Sequence, residues 1–425
     1  MSNSEEPPQK KRKMEASPAS SLLTSLPDDV ALNCLARVSR LDRAALSVAG
    51  KSYRSLVASP DLDKIRSQMG RTETCVYVCL RTPPPDPNLG WYILRRRETL
   101  DGSSPDLIPI SSLPSQAPEA FSVVAVDWGI YVMGGMIKGK ATSDVWLLDC
   151  RSHTWRSVPS MGVARAYAAA GVVDGKIYVL GGCDVVGKLG EVFDPKTQTW
   201  KTLRRAQKKG NNMIHDSVVR DQKVYAVDGN DRTFYYSPRE GKWGNGNRGQ
   251  ASGNRRDWCM VDNLIFCLSR KGTIFWCEPD ELELREPEGM MDTKEVKGLG
   301  SLTLSLLHSR VVHFGEKLLH RWDQYKIKYG IRQELEDLNP RPVCESQELE
   351  DLLPGARLSN SGGNILLFWD VINGDRLEIW CAEISVERRA QGGEIWGNIE
   401  WSSAVMTLDP FIDHHKILHS VSVTL

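Results

Sequence analysis

Short apolar runs bounded by polar or glycine turns follow one another along the chain after about residue 71. Three of these runs, DWGIYVMGG, DGKIYVLGG and DQKVYAVDG, begin at Asp127, Asp174 and Asp221, so they repeat every 47 residues (174 − 127 and 221 − 174). A weaker fourth copy, DNLIFCLSR, begins at Asp262. In each copy an Asp-centred turn precedes a strand-like apolar run, and the glycine pair marks a bend or a close backbone approach. The pattern predicts repeated units of short antiparallel strands.

A single tryptophan follows each of the first three copies. These residues are Trp155, Trp200 and Trp243, and their spacings are 45 and 43 residues (200 − 155 and 243 − 200). Two sequence features, the apolar run that begins with Asp and the tryptophan after it, recur at nearly the same spacing, which indicates a structural repeat. Four short strands cannot bury both faces alone, so neighbouring units must stack around an axis. We therefore predict a mainly β fold over residues 71–425, a β-propeller of six blades, with seven blades as the alternative.

The two ends of this region contain incomplete units. CVYVCL (75–80) and WYILRR (91–96) read as two strands without a partner, and KILHSVSVTL at the C-terminus is predicted to supply that partner and close the ring. Trp322 and Trp369 mark further units, and EIWGNIEW (394–401) supplies a last tryptophan strand. The segment 303–356, acidic in its second half, is either an insertion or a degenerate seventh blade.

Residues 23–68 carry the one long helical pattern of the chain. Pro27 suits a first helical turn, and the apolar residues that follow recur with helical spacing. Asp42 is expected to cap a second helix, and Ser59 with Pro60 predicts the start of a third. Three short helices in about 45 residues are too small for a secure core. We expect contact with a partner to stabilise this module.

The N-terminal segment 1–22 is rich in Ser, Pro, Glu and Lys, and it has too few apolar residues to fold. Its basic run, Lys10 to Lys13, is either a nuclear import signal or a solvated charge run beside acidic neighbours. We predict a disordered basic tail.

The bulk composition excludes several classes of function. The 54 Lys and Arg residues balance 54 Asp and Glu residues, so no overall field attracts nucleic acid or an anionic membrane. No apolar stretch reaches the ~18 residues of a membrane span, and the N-terminus lacks the apolar core of a secretory signal. The ten cysteines form no CxxC pair, which is typical of buried thiols in a reducing compartment. We expect the protein in the nucleus, the cytoplasm or both, with no membrane or nucleic-acid partner.

The helical module resembles an F-box, the module by which substrate receptors dock on the Skp-type adaptor of a cullin ubiquitin ligase. The matching residues are Leu26-Pro27, Cys34-Leu35, Val38, Leu41, Leu46, Lys51, Arg54, Leu56 and Ser59-Pro60-Asp61-Leu62. Gly50 and Tyr53 depart from the usual Cys and Trp, which bears on adaptor affinity. The resemblance implies adaptor contacts by Leu26, Pro27, Val30, Cys34, Leu35, Val38 and Leu46. The alternative is a generic helical hairpin that packs on the next domain.

The propeller region resembles the kelch repeat, because the glycine pairs at 134–135 and 181–182 each have a downstream tryptophan. Together with the F-box and the C-terminal LEIWCAEISVERR, the chain resembles plant F-box/kelch-repeat proteins over nearly its whole length. The resemblance implies a receptor that binds the adaptor, and through it cullin, with one domain and a protein substrate for ubiquitination with the other. An adaptor-independent kelch scaffold or interaction protein is the alternative.

Substrate binding is expected on one rim of the propeller. The connection into the first strand of a blade and the loop after its second strand emerge together, and exposed loops on a rigid scaffold are common binding sites. Arg165 and Arg255 are preferred because each precedes a first strand, and kelch propellers that capture acidic peptides use arginines at similar places. The other candidates on this rim are Lys138, Asp184, Lys188, His215, Asp231, Arg232 and Arg256. For each of them a solvated loop charge is the alternative.

Catalytic motifs are scarce in the sequence. It contains no GxSxG, HExxH or phosphate-loop pattern, and its one histidine cluster, Asp413-His414-His415, is not expected to bind a metal. The basic run 201–209 lacks interleaved aromatic residues, so it does not favour nucleic-acid binding. We predict a non-catalytic protein without a cofactor. An enzyme remains the other alternative, since some kelch propellers are oxidases, but it would need a metal or paired acid–base residues in the central channel.

Overall fold

The structure is a computed structural model. It describes residues 26–38, 55–57, 59–81, 89–96, 105–115, 118, 120–183, 185, 187–203, 214–228, 232–248, 256–268, 272–284, 291–303, 305–306, 357–373, 376–389, 393–408 and 416–425. The chain divides into two compact units, Met1–Glu73 and Thr74–Leu425. No helix among the described residues is long and apolar enough to cross a membrane.

The first unit contains two described helices, α1 (Asp28–Leu35) and α2 (Pro60–Gln68). Pro27 occupies the N-cap position of α1, and the Ser59 hydroxyl caps α2 by accepting a hydrogen bond from the Asp61 N–H at 3.3 Å. The predicted starts of the first and third helices are therefore confirmed. Of the predicted second helix, beginning at Asp42, only residues 55–57 are described, and they are helical.

A buried arginine fixes α2 to the end of α1. The Arg66 side chain is almost fully buried, and its Nη1 donates to the carbonyl oxygens of Ala36 at 2.9 Å and Val38 at 2.8 Å. Its Nη2 pairs with Glu73. Carbonyls at a helix C-terminus lack intrahelical partners, so Arg66 satisfies groups that the short α1 leaves open.

The second unit is a β-propeller. Its described residues form six four-stranded antiparallel sheets and one two-stranded hairpin. Blade 1 joins β1 (Thr74–Arg81), β2 (Leu89–Arg95) and β3 (Asp106–Pro109) to the last strand, β26 (Lys416–Thr424). Blade 2 contains β4 (Ser122–Val126), β5 (Gly129–Met133), β8 (Val145–Asp149) and β9 (Thr154–Val158), with the hairpin β6 (Met136–Ile137) and β7 (Lys140–Ala141). Blade 3 contains β10 (Ala169–Val173), β11 (Lys176–Leu180), β12 (Gly190–Asp194) and β13 (Thr199–Thr202).

Blades 4 to 6 follow the same order. Blade 4 contains β14 (Ile214–Arg220), β15 (Lys223–Asp228), β16 (Arg232–Ser237) and β17 (Lys242–Arg248). Blade 5 contains β18 (Arg256–Val261), β19 (Leu264–Leu268), β20 (Ile274–Cys277) and β21 (Lys294–Glu295). Blade 6 contains β22 (Arg357–Ser361), β23 (Asn364–Asn373), β24 (Arg376–Arg388) and β25 (Ile395–Leu408).

The first strands of the blades form a closed ring. In order they are β26, β4, β10, β14, β18 and β22, and β22 contacts β26. The predicted closure is confirmed, because β26 pairs antiparallel with β1 from Thr74–Thr424 to Arg81–Lys416. The ring has six blades. Most of the segment 303–356 lies outside the described residues.

The repeated aspartate has a backbone cause. Asp127, Asp174, Asp221 and Asp262 each open the two-residue turn between the first and second strands of a blade, and their φ angles lie between 46° and 50°. Asp adopts this left-handed conformation more readily than most residues, and such turns match the twist of antiparallel strands. The turn predicted from the sequence is confirmed.

The repeated tryptophan joins blades 2 and 3 to the linkers that enter them. Trp155 Nε1 in β9 donates to the Ser111 carbonyl at 2.8 Å, and Trp200 Nε1 in β13 donates to the Pro159 carbonyl at 2.7 Å. Trp155 also stacks edge-on against Trp91 of blade 1, with 5.7 Å between ring centroids. The tryptophans therefore recur in the sequence because they make the contacts that join a blade to its linker and to its neighbour.

An acidic segment after β20 joins blade 5 to blade 4. It contains a 3-10 turn at Pro279–Leu282, and Glu283 accepts hydrogen bonds from the Tyr225 hydroxyl at 2.5 Å and from Lys223 Nζ at 3.1 Å. Arg220 Nη2 donates to Asp280 at 2.5 Å. Although burial opposes it, the two hydrogen bonds lower the pKa of Glu283.

Candidate functional site

Helix α1 has two apolar faces. One face buries Ala31, Leu32 and Leu35, and Leu32 and Leu35 pack against Leu62 of α2 in the core of the first unit. The other face presents Val30, which is 40% exposed, and the exposed Cys34 one turn later. Leu26, which is 38% exposed, precedes the helix. An amphipathic helix that exposes a second apolar face is a common protein-docking element.

The predicted adaptor residues therefore separate into two groups. Leu26, Pro27, Val30 and Cys34 are exposed, and we name them the α1 face. Val38 is half-buried, and Leu46 lies outside the described residues. Direct adaptor contact by Leu35 is wrong for this fold, because its side chain is 1% exposed and belongs to the core.

Hydrogen bonds place the predicted binding loops on one rim of the propeller. The Gly135 N–H, after the second strand of blade 2, donates to the carbonyl of Arg165 in the linker that enters blade 3, at 2.7 Å. The Ala166 N–H donates to the Gly182 carbonyl, after the second strand of blade 3, at 2.9 Å. We name this surface the linker rim. The Asp-centred turns lie on the opposite rim.

Arg165 is a structural residue. It is 1% exposed, and its guanidinium donates to Glu191 Oε2 from Nε at 3.2 Å and from Nη2 at 3.1 Å. Nη1 also donates to the Gly181 carbonyl at 2.5 Å, and Nη2 donates to the Lys188 carbonyl at 2.7 Å. The prediction that Arg165 contacts substrate on the rim is wrong, because these buried acceptors engage the guanidinium.

Three other predicted residues are accessible on the linker rim. Lys138 is exposed in the β6–β7 turn, and Arg232 is exposed at the start of β16, where its N–H donates to Asp228 Oδ1 at 3.0 Å. Lys188 is half-buried, and its Nζ donates to the Thr202 hydroxyl at 3.2 Å. These residues give the described rim a cationic character.

The other predicted rim residues are only partly placed. Arg255, Asp184 and Asp231 lie outside the described residues. His215 and Arg256 are described through their backbone, near the start of β14 and at the start of β18. Both strands line the central ring, so these two positions are at the mouth of the channel on the linker rim.

An arginine and a histidine that were not among the predicted site residues also lie near this mouth. Arg357 begins β22, and its Nε donates to the Leu418 carbonyl at 2.8 Å. The neighbouring His419 stacks on Phe121 with 4.6 Å between ring centroids. Burial and the charge of Arg357 lower the pKa of His419 to about 3, so its imidazole is neutral at physiological pH. The position of Arg357 in the repeat could have indicated it, because Arg357 begins the first strand of a blade, as Arg256 does.

The described residues hold no group of three or more His, Cys, Asp and Glu side chains that could bind a metal. Asp413, His414 and His415 lie outside them. A cavity of about 260 Å³ on the opposite rim is lined by residues of blades 5 and 6, and there Arg388 pairs with Glu278. Its lining residues do not form a nucleophile–base pair.

Comparison with known proteins shows the protein family to which the chain belongs. The family model described as FKB95, Kelch-repeats domain, matches residues 91–335. An Arabidopsis thaliana F-box/kelch-repeat protein, At3g24610, is 40% identical over 98% of this chain and 97% of its own length. Two more from the same plant, At4g39550 and At4g39580, are each 33% identical and cover 98% and 100% of this chain, and 99% and 100% of their own lengths. The chain belongs to the plant F-box/kelch-repeat family.

The chain is also similar to the solved structure titled "Structure of YjhT". The TM-score is 0.45 and the sequence identity is 11%, over 75% of this chain and 96% of that chain.

Proposed function

We propose that the protein is the substrate-recognition subunit of a Skp-cullin-F-box ubiquitin ligase. In this role the helical module docks on a Skp-type adaptor, and the linker rim binds a protein substrate for ubiquitination. The observation that carries the proposal is the exposed α1 face in a member of the F-box/kelch-repeat family.

The α1 face suits an apolar partner surface. Leu26, Pro27, Val30 and Cys34 lie within nine residues, and the buried side of the same helix is already packed. Burial of exposed apolar side chains is a main favourable term in association. Docking on this face needs no rearrangement of the core around Leu35.

The propeller would act by positioning and has no catalytic role in this proposal. A receptor that holds a substrate near a charged ubiquitin-conjugating enzyme raises the local concentration of substrate lysines. The accessible described candidates for substrate contact are Lys138, Lys188 and Arg232. The other candidates from the sequence are Arg255, Asp184, Asp231, His215 and Arg256. We propose that this occurs in the nucleus, the cytoplasm or both.

Substitution of Val30 by Glu tests the adaptor contact. A carboxylate forced into an apolar interface loses hydration without a partner, so we expect affinity for a recombinant Skp-type adaptor to fall at least about 100-fold. The melting temperature should stay unchanged, because Val30 is exposed. The paired change Leu26→Ala with Pro27→Ala should also abolish co-purification with the adaptor.

Asn33→Glu is the matched control. Asn33 is exposed on α1, beside the apolar face, and its side chain donates to the Asp29 carbonyl at 2.9 Å. We expect this variant to bind the adaptor like the wild type. Equal binding by Val30→Glu and the wild type would contradict the proposed contact. Failure of the wild type to bind any adaptor would favour an adaptor-independent interaction protein.

A further inference from the structure

An exposed tyrosine on the linker rim has an unfavourable backbone conformation. Tyr167 lies in the linker that enters β10, with a φ of 56°, and its side chain is 44% exposed. Left-handed φ values are uncommon for bulky residues, whereas glycine and asparagine adopt them more readily. Backbone outliers of this kind concentrate at functional sites.

The backbone of Tyr167 is held between blades. Its N–H donates to the Ala120 carbonyl, just before β4, at 2.8 Å, and its carbonyl accepts from the Ile214 N–H at the start of β14 at 2.9 Å. The preceding N–H, of Ala166, donates to Gly182. These bonds use main-chain atoms only, so a glycine at position 167 would make them equally well.

The Tyr167 side chain is held by no polar or aromatic contact within the described part of the protein. Its hydroxyl makes no hydrogen bond there, and its ring stacks on no other described aromatic ring. Val185, in the loop after β11 on the same rim, is 51% exposed. Exposed aromatic and aliphatic side chains on one rigid surface are a common composition of an interface anchor.

The surroundings of this pair are cationic. The bridge between Thr142 and Arg165 places the β6–β7 hairpin, with the exposed Lys138 and Lys140, beside the Tyr167 linker. Among the described residues of segments 134–144 and 181–189, the charged ones are Lys138, Lys140, Lys188 and Asp144, so their net charge is +2 (3 − 1). Such a field favours an anionic partner and speeds its association.

We propose that Tyr167 and Val185 are the apolar anchor of the substrate rim, and that the substrate segment is an acidic peptide with an aromatic or aliphatic residue. This inference rests on the proposed function, because it names the substrate class of that rim. Tyr167 supplies the apolar contact to the peptide, and Lys138 and Lys140 attract the carboxylates of the flanking peptide residues.

A random 12-residue peptide library displayed on phage, selected on the full chain, tests the inference. We expect the enriched peptides to be net negative and to share an aromatic or aliphatic residue. Tyr167→Gly should weaken their binding at least about 10-fold while its melting temperature stays equal to or above that of the wild type. Tyr167→Phe should retain most of the affinity, and Lys138→Glu with Lys140→Glu should weaken it and flatten its salt dependence.

Gln222→Ala, in a turn on the opposite rim, is the control and should bind like the wild type. Enriched peptides that bind Tyr167→Gly unchanged, enriched peptides of net positive charge, or an empty selection would each overturn the inference. So would a lower melting temperature of Tyr167→Gly, because it would assign the tyrosine a structural role. Adaptor binding, measured on the same preparations, separates the two proposals: its absence in the wild type contradicts the receptor function, whereas peptide binding tests the anchor alone.

Discussion

Replacement of Arg165 by Met should destabilise the propeller. The change keeps much of the side-chain volume but leaves Glu191, 2% exposed, with the Gly162 N–H at 3.0 Å as the described donor that remains. Removing one member of a buried ion pair typically costs about 3–5 kcal/mol, because the other charge stays desolvated. The Gly181 and Lys188 carbonyls also lose their guanidinium donors.

The expected shift in melting temperature follows from the size of the unit. Residues 74–425 number 352 (425 − 73), and an unfolding entropy of about 2.1 cal/mol/K per residue gives roughly 0.7 kcal/mol/K. The loss of about 3–5 kcal/mol then corresponds to a decrease of about 4–7 °C. Differential scanning calorimetry of the full chain measures it.

The double variant Arg165→Met with Glu191→Gln should recover part of the loss, because the buried charge is removed with its partner. Lys138→Met is the surface control and should melt within about 1 °C of the wild type, as exposed substitutions usually change stability by less than ~0.5 kcal/mol. An Arg165→Met protein that melts with the wild type would refute the assignment of Arg165 as a structural bridge. It would restore Arg165 as a candidate for substrate contact.

Two further predictions concern other buried contacts. Tyr225→Phe removes the hydrogen bond to Glu283 and should lower the free energy of unfolding by about 1–2 kcal/mol. Tyr235→Phe is the control and should change it little, because the Tyr235 hydroxyl makes no hydrogen bond among the described residues. Equal urea midpoints for the two variants would contradict the contact. His419 has a folded pKa of about 3, so the unfolded chain, with a pKa near ~6.5, binds the proton first as the pH falls. Stability should therefore decrease between about pH 6.5 and pH 3, and His419→Gln should flatten this part of the urea-midpoint profile; parallel profiles would contradict a neutral buried imidazole.

Repetition explains which parts of the fold could be predicted from sequence. The turn aspartates recur because blades 2 to 5 make the same turn, and the tryptophans of blades 2 and 3 recur with the same linker contact. A local pattern of this kind reports a global architecture. The closing strand could be predicted because β1 and β2 lacked a partner. The blade count needed the structure, since the copies weaken after Asp262.

Side-chain roles were harder to predict because they depend on distant partners. Arg165 precedes a first strand, as a rim residue would, but its buried partner Glu191 is 26 residues away. Leu35 fits the helical spacing of an adaptor contact, yet the same spacing describes the buried face of α1. Tyr167 is an ordinary residue in the sequence, and only its φ and exposure distinguish it.

The most direct test of the receptor assignment is an affinity pull-down from plant extract with the full chain and with a chain that lacks residues 26–66, followed by mass spectrometry of the bound proteins. We expect a Skp-type adaptor and cullin to be recovered with the full chain and lost with the deletion. Recovery of neither protein by the full chain, or of both by the deleted chain, would contradict it.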